Sequence, residues 1–306
     1  MIKGFGVALL LFLVAAGTVA FHIYSPWWFT PIASNWGYID DTINLTFAIT
    51  GVVFVAVIGF TAYCVLKFRH RDGARAEYNP ESKKLEWWLT GLTTVGVVAM
   101  LTPGLFVWNQ YVTVPKDATE FEVMGRQWDW SFRLPGKDGV LGKTSAAFVK
   151  ANNAFGVDPK DPKGQDDILV FAGDELHVQI GKPVKVLLRS LDVLHDFYVP
   201  EFRAKMDMVP GMVTYFWFEP TRTGKFDIMC FELCGTGHYA MRSKVVVSND
   251  ADYQAWLGKQ KTFAQSLREA GIKPLVDTDM ALRETEGTGA GDTGSDKTVS
   301  QARANQ

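Results

Sequence analysis

Cysteine is scarce in this 306-residue chain, with 3 in all, which excludes a disulfide-stapled scaffold. Histidine is hardly commoner at 5, too few to furnish a separate His-rich catalytic domain. Net charge is almost absent: 31 Lys and Arg face 33 Asp and Glu, a balance of −2 without the basic excess of a general nucleic-acid binder. No Cys-x-x-Cys-His run occurs, so the chain carries no attachment site for a c-type haem. There is no internal repeat of useful length. A hydrophobic share of 47%, with 28 Gly and 13 Pro, excludes collagenous and disordered classes, and the length leaves room for about two structural units.

Charge is missing altogether from three long stretches: Gly4 to Phe21, Leu45 to Leu66 and Trp87 to Trp108. The latter two have 22 residues each and reach about 33 Å as helices, enough to cross a hydrocarbon layer of about 30 Å. They predict a transmembrane hairpin, since buried core helices seldom run so far without a charge. The first stretch follows Lys3 and ends in Thr18-Val19-Ala20; it suits either a signal peptide or a third membrane helix. Phe21 to Asn44 has no Lys or Arg, whereas the connector Lys67 to Glu86 has six bases against four acids. The positive-inside rule therefore puts the connector in the cytoplasm and everything after Trp108 outside. Tyr24, Trp27, Trp28 and Trp108 suit the interfacial belts.

The exported part, Thr113 to Gln306, has 24 bases and 27 acids. Short β-type runs recur at Glu120 to Val123, Trp128 to Phe132, Ile168 to Phe171, Glu175 to Ile180, Val184 to Leu191, Phe197 to Val199, Val213 to Phe218, Lys225 to Cys230 and Met241 to Val247. Turn residues such as Pro210-Gly211 and Thr223-Gly224 separate them, the pattern of a sandwich or barrel. Pro135 to Asp167 shows little periodicity and reads as a functional excursion or a surface insertion. Asn249 or Asp250 caps a helix whose apolar positions Tyr253, Trp256, Leu257, Phe263 and Leu267 share one face. The Gly-, Thr- and Ser-rich end reads as a disordered tail.

The chemistry is concentrated in Cys230-Phe-Glu232-Leu-Cys234-Gly-Thr-Gly-His238-Tyr-Ala-Met241. Two thiols, an imidazole and a thioether fall in a loop between two predicted strands. Soft sulfur with imidazole selects copper or zinc, and the thioether favours copper. A mononuclear blue-copper site needs one Cys, two His and an axial Met; the second Cys at i+4 would let the loop bridge two ions. The further imidazole has to come from elsewhere, and His195, at a predicted strand start, is the best placed. The competing reading is a Cys230–Cys234 disulfide in an oxidising compartment. Cys64, in a membrane helix, reads as an apolar filler, and His22, His70 and His177 as boundary or packing residues.

These residues, with Gly125-Arg-Gln-Trp128-Asp-Trp130-Ser-Phe, Asp192-Val-Leu-His195-Asp-Phe-Tyr-Val-Pro200 and Lys205-Met-Asp207-Met-Val-Pro210-Gly211, resemble subunit II of haem-copper cytochrome c oxidase over about residues 40 to 250. The resemblance implies a mixed membrane protein: a two-helix or three-helix transmembrane hairpin followed by an all-β, cupredoxin-like Greek-key domain. Its boundaries would be 1–23 for a signal peptide or extra transmembrane helix, 44–112 for the hairpin and 113–248 for the copper domain. A helical segment at 249–283 and a disordered tail at 284–306 would follow. The resemblance further implies a dinuclear CuA centre of two copper ions, held by bridging Cys230 and Cys234, by His195 and His238, by Met241 and by the carbonyl of Glu232. The Glu232 side chain would contact a magnesium ion shared with subunit I.

By the same resemblance, electrons enter from cytochrome c at Trp128, Asp192 lies in the donor-docking surface, and Glu86 lies near the mouth of a proton path. They would pass to haem in subunit I, where oxygen is reduced to water with proton pumping; this chain carries no haem-ligand set of its own. The implied partners are that subunit, further oxidase subunits, cytochrome c and membrane lipid, with no nucleic acid. The implied location is a bacterial-type plasma membrane or an equivalent energy-transducing membrane, multi-pass, with the C-terminal domain on the periplasmic side. Without the resemblance, Trp128 and Trp130 read as core or interface aromatics, Asp192 as a solvated acid and Glu86 as a helix N-terminal charge. Asp129 and Arg133 depart from the family pattern and bear on the donor. Alternative readings are the CuA subunit of a nitric oxide reductase and a membrane-tethered copper-binding protein.

Overall fold

Each of the three uncharged runs folds into a helix. A computed structural model describes residues 2–25, 30–75, 78, 80–171, 173–272 and 274. The helices are α1 (Ile2–Tyr24), α2 (Gly37–Lys67) and α3 (Lys83–Val112). All three are long and apolar enough to cross a membrane, with mean hydropathy of 2.3, 2.3 and 1.6. No residue of α2 or α3 is buried, so their apolar side chains are presented outward, as lipid or a partner subunit requires. Ser82 caps α3 by accepting from the Leu85 N–H, and Pro103 lies inside the helix. α1 and α2 run antiparallel: Phe5 lies under the Arg69 guanidinium, and His22 lies against Phe47 near the opposite end. The interfacial Trp27 and Trp28 lie outside the described residues, as does the tail at 284–306.

Chain contacts divide the molecule into two units, Met1–Phe132 with Val170–Lys259, and Arg133–Leu169 with Gln260–Gln306. The first holds α1, α2, α3 and most of the β-structure. Its strands are β1 (Thr119–Arg126), β2 (Asp129–Leu134, whose last two residues belong to the second unit), β4 (Leu176–Gln179), β5 (Val184–Ser190), β6 (His195–Val199), β7 (Ala204–Met208), β8 (Thr214–Phe218), β9 (Gly224–Cys230) and β10 (Arg242–Ser248). β3 (Ile168–Val170) lies where the chain passes back from the second unit. One sheet includes the order β2-β1-β5-β8 and the other runs β4-β10-β9-β6-β7. β1 with β5 and β10 with β4 are parallel, while β9 with β10 and β6 with β7 are antiparallel. Alternate residues of β4, β5, β9 and β10 point inward, and Val123, Phe132, Val186, Leu188, Phe216 and Ile228 are buried.

β7 has no counterpart among the predicted strands. It is an edge strand whose Lys205 and Asp207 face out between Ala204, Met206 and Met208, so its sequence reads as charged; such charges keep a sheet edge from pairing further. Its register with β6 pairs His195 with Met208 and Val199 with Ala204.

The helices join the sandwich through buried aromatics. Trp36 is 1% exposed, packs at 5.0 Å ring separation on both Tyr111 and Trp217, and donates its indole N–H to the Trp217 carbonyl at 2.9 Å. Arg203 reaches Asp40 in the first turn of α2 at 2.7 Å.

In the second unit, the stretch that lacks periodicity is ordered by side chains bonding backbone. Asn153 donates to the carbonyls of Phe148 and Val157 and accepts from the Val157 N–H; Asp161 accepts from the Lys143 N–H. Arg133 forms a 2.7 Å ion pair with Asp167, both side chains being almost wholly buried. The helix predicted past Asn249 is two helices, one in each unit. α4 (Asp250–Leu257) is capped by Asn249 and ends at Gly258; α5 (Phe263–Glu269) begins at a Thr262–Gln265 capping box and buries Phe263 and Leu267.

Candidate metal centre

β6 and β9 are neighbours with Phe197 opposite Cys230, which brings the start of one strand beside the end of the other. His195 opens β6, Cys230 closes β9, and the loop between β9 and β10 carries Glu232, Cys234, His238 and Met241. Residues separated by 35 positions in the chain thereby meet. The Cys230 and Cys234 sulfurs are 3.7 Å apart as free thiols, well beyond a disulfide bond of about 2.05 Å. Each sulfur has its own imidazole: His195 Nδ1 is 3.9 Å from Cys230 Sγ, and His238 Nδ1 is 3.6 Å from Cys234 Sγ. Each also has one weaker donor. The Glu232 carbonyl oxygen lies 3.2 Å from Cys230 Sγ, and Met241 Sδ lies 3.9 Å from Cys234 Sγ. His195 and Met241 are fully buried, Cys230 and Cys234 nearly so.

Ligand atoms of His195, Cys230 and Cys234 all lie within 4.8 Å of one another, close enough to hold a metal ion. Soft thiolates with neutral imidazoles and a thioether fit copper. The electrostatics favour one thiolate. Burial raises the Cys230 thiol, but His195 and backbone donors outweigh it and bring Cys230 down to about 6. Burial and the neighbouring Cys230 push Cys234 up to about 12. Asp196 is pushed up to about 7 by burial and by Asp207, against the pull of Lys205 at 3.0 Å.

The candidate ligand residues are held by neighbours that their sequence spacing does not disclose. Asp192 Oδ1 lies 2.9 Å from His195 Nε2, and Asp192 Oδ2 accepts from the Gln127 N–H at 2.7 Å. The Gln127 side chain and the Trp128 indole N–H both donate to the Cys234 carbonyl, at 2.8 and 3.2 Å. Trp130 is buried, donates to the Met241 carbonyl at 3.4 Å and stands edge-on to the His195 ring. Gly125 lies against the same ring: a β-carbon there would fall 3.2 Å from His195 Cδ2. The only sequence signal for the Trp128 seat is the Gly235-Thr-Gly237 run inside the ligand loop.

Trp128 is 39% exposed, so the aromatic touching the Cys234 carbonyl also reaches the surface. Glu232 is half-buried. Glu86 lies in the first turn of α3, exposed and apart from this cluster. Asp129 pairs with Arg126 at 2.8 Å, and His177 stacks on Trp256.

The periplasmic-domain model of cytochrome c oxidase subunit II matches residues 120–249. The alternative cytochrome c oxidase subunit 2 of Bradyrhizobium diazoefficiens is 67% identical over 258 residues, covering 84% of this chain and 93% of the relative. Cytochrome c oxidase subunit 2 of Cereibacter sphaeroides is 26% identical over 243 residues, 74% of this chain and 77% of its own. Among solved structures, the periplasmic domain of subunit II of cytochrome oxidase from Bradyrhizobium japonicum covers 48% of this chain and 95% of its own, at 28% identity and a TM-score of 0.35. The family model spans the strands that deliver His195 and the Cys230–Met241 loop, and the Bradyrhizobium diazoefficiens relative matches over nearly its whole length; the chain belongs to the cytochrome c oxidase subunit 2 family.

Proposed function

We propose that this chain, an electron-transfer subunit of a terminal oxidase, receives electrons from a cytochrome c at Trp128, holds two copper ions, and delivers electrons to haem in subunit I, where oxygen is reduced to water with proton pumping. The observation that carries the dinuclear reading is the partition of donors. Cys230 has His195 and the Glu232 carbonyl, while Cys234 has His238 and Met241, with the sulfurs adjacent. A mononuclear blue site would use one Cys and leave the other redundant. Cys230, Cys234, His195, His238, Met241 and the Glu232 carbonyl would hold the copper, which would supply fast one-electron transfer when bound.

The protein's part is to keep the donors fixed and dry. Burial of His195, Cys230, Cys234 and Met241 excludes water, and the hydrogen bonds to the Cys234 and Met241 carbonyls hold the loop. Trp128 supplies a surface aromatic that is hydrogen-bonded to a ligand residue, which suits electron entry. Asp192, a third exposed, is the acid of the docking reading, where opposite charge would steer a basic donor. The half-buried Glu232 carboxylate is the group assigned to a magnesium ion shared with subunit I, and Glu86 to the mouth of a proton path.

The protein is a membrane protein with an outer-side domain. In the finer reading α1, α2 and α3 all cross, the basic connector lies inside, and outward-facing apolar side chains of α2 and α3 meet lipid, subunit I and further oxidase subunits. Antiparallel packing of α1 on α2 supports a retained third helix over a cleaved signal peptide. The test is metal analysis with electron paramagnetic resonance on the full chain in its oxidase. Two coppers per chain with one electron shared over both nuclei support the assignment. One copper, or active protein with Cys230 and Cys234 as a disulfide, overturns it.

A further inference from the structure

The carbonyl of Cys234 is held from outside its own loop. It accepts from Gln127 Nε2 at 2.8 Å and from Trp128 Nε1 at 3.2 Å, consecutive residues of the turn between β1 and β2. A carbonyl oxygen has two lone pairs, so these two donors fill its capacity. Gln127 is exposed and uncharged, and its surface position alone would make it one more contact for an incoming donor. We propose that Gln127 is instead a positioning residue for electron entry, fixing the carbonyl to which the Trp128 indole is bonded.

The loop needs an outside hold at this point. Gly235 has φ +117, and Gly237 follows two residues on, so the Cys234–Gly235 peptide lies in a stretch whose backbone resists rotation least. A single hydrogen bond leaves such a peptide free to swing about it, whereas two donors on one oxygen fix its direction. The carboxamide of Gln127 supplies the shorter of the two bonds and the indole the longer. Gln127 is itself anchored. Its backbone N–H donates to Asp192 Oδ2 at 2.7 Å, and its side chain packs over Gly235, where a β-carbon would fall 3.0 Å from Nε2.

The direction of this carbonyl matters because of what lies on either side of it. Trp128 is 39% exposed, and its indole N–H meets the Cys234 oxygen; from that carbonyl the chain leads to Sγ through Cα and Cβ alone. Turning the peptide would carry the oxygen off the indole and lengthen the bond by which the surface ring meets a candidate ligand residue. Loss of the carboxamide would therefore slow transfer inside the bound complex. Loss of a mere docking contact would weaken binding of the donor and leave transfer inside the complex untouched.

This inference rests on the reading of Trp128 as the entry point, and the assembled oxidase tests the two separately. Trp128→Leu comes first: reduction of the centre at the native rate by saturating cytochrome c would overturn the entry reading itself. Gln127→Met then keeps length and charge but cannot donate. Stopped-flow reduction at saturating cytochrome c should slow about 10-fold, with the half-saturating concentration and its salt dependence native, since a misplacement of about 1 Å is enough to cost that. Hydrogen exchange of the Gly235 to Gly237 amides, read by mass spectrometry, should quicken about 5-fold as one hydrogen bond is lost, while copper content stays native. Where Gln127→Met does not assemble, Gln127→Asn, shorter by a methylene, should show the same two effects. A native saturating rate or native exchange overturns the proposal, and either one together with a raised half-saturating concentration makes Gln127 a docking contact.

Discussion

Trp128 rests on Gly237: a β-carbon at that glycine would collide with the indole, and one at Gly235 would come within 3.2 Å of its ring. The surface aromatic therefore has its seat on the ligand loop itself. Gly237→Ala should displace the indole from the Cys234 carbonyl while leaving every metal donor in the chain. Reduction of the centre by cytochrome c, followed by stopped-flow absorbance, should slow about 10-fold or more, since misplacement by about 1 Å is enough to cost that. Copper content should stay at the native level.

Met241 is fully buried with its sulfur beside Cys234 Sγ. Met241→Leu nearly conserves volume and should cost less than about 1.5 kcal/mol of stability. On the proposed copper reading it removes a weak thioether donor, so copper should remain bound while the reduction potential moves. A redox titration that matches the native chain would argue that Met241 only fills space.

Proton release should accompany metal loading. With Cys230 held down to about 6 and Cys234 pushed up to about 12, neutral solution finds one thiolate and one thiol. Metal binding to both sulfurs must displace the Cys234 proton. Affinity should rise about tenfold per pH unit between pH about 7 and 9, and more steeply below about 6, where Cys230 also carries a proton. Chelator competition across that range measures the slope, and a flat profile would contradict the assignment of both sulfurs as ligands.

Arg133 and Asp167 form an ion pair with 4% and 0% of their side chains exposed. Asp167 also accepts from the Gly142 N–H. Asp167→Ala removes the carboxylate that faces the buried Arg133 guanidinium, whose bond to the Gly142 carbonyl does not neutralise its charge, and should cost about 3–5 kcal/mol. Because both residues belong to the second unit, limited proteolysis should show that unit opening first. Unchanged protease resistance would mean that water reaches Arg133.

Much of this protein was legible along the chain because the physics involved is local. A hydrocarbon layer dictates helix length, so the uncharged runs of 22 residues identified the helices α2 and α3. Two cysteines, a histidine and a methionine in twelve residues displayed most of the donors, since one loop can carry them without help from the fold. The alternation of β5 and β9 announced strands with one face inward.

Tertiary structure decided the rest. β7 is not legible as a strand because an edge strand can carry Lys205 and Asp207 outward, and the internal order of Pro135–Asp167 is not legible because bonds such as those of Asn153 leave no periodic trace. Candidate status for His195 came from its place at a strand start, but its meeting with Cys230 depends on the β6–β9 register. Whether Asp192 is a solvated acid or a partner of His195 is a matter of where its carboxylate points. Composition and spacing determine which donors a chain possesses; which of them share a metal, and what holds them in place, is fixed by strand pairing between distant segments.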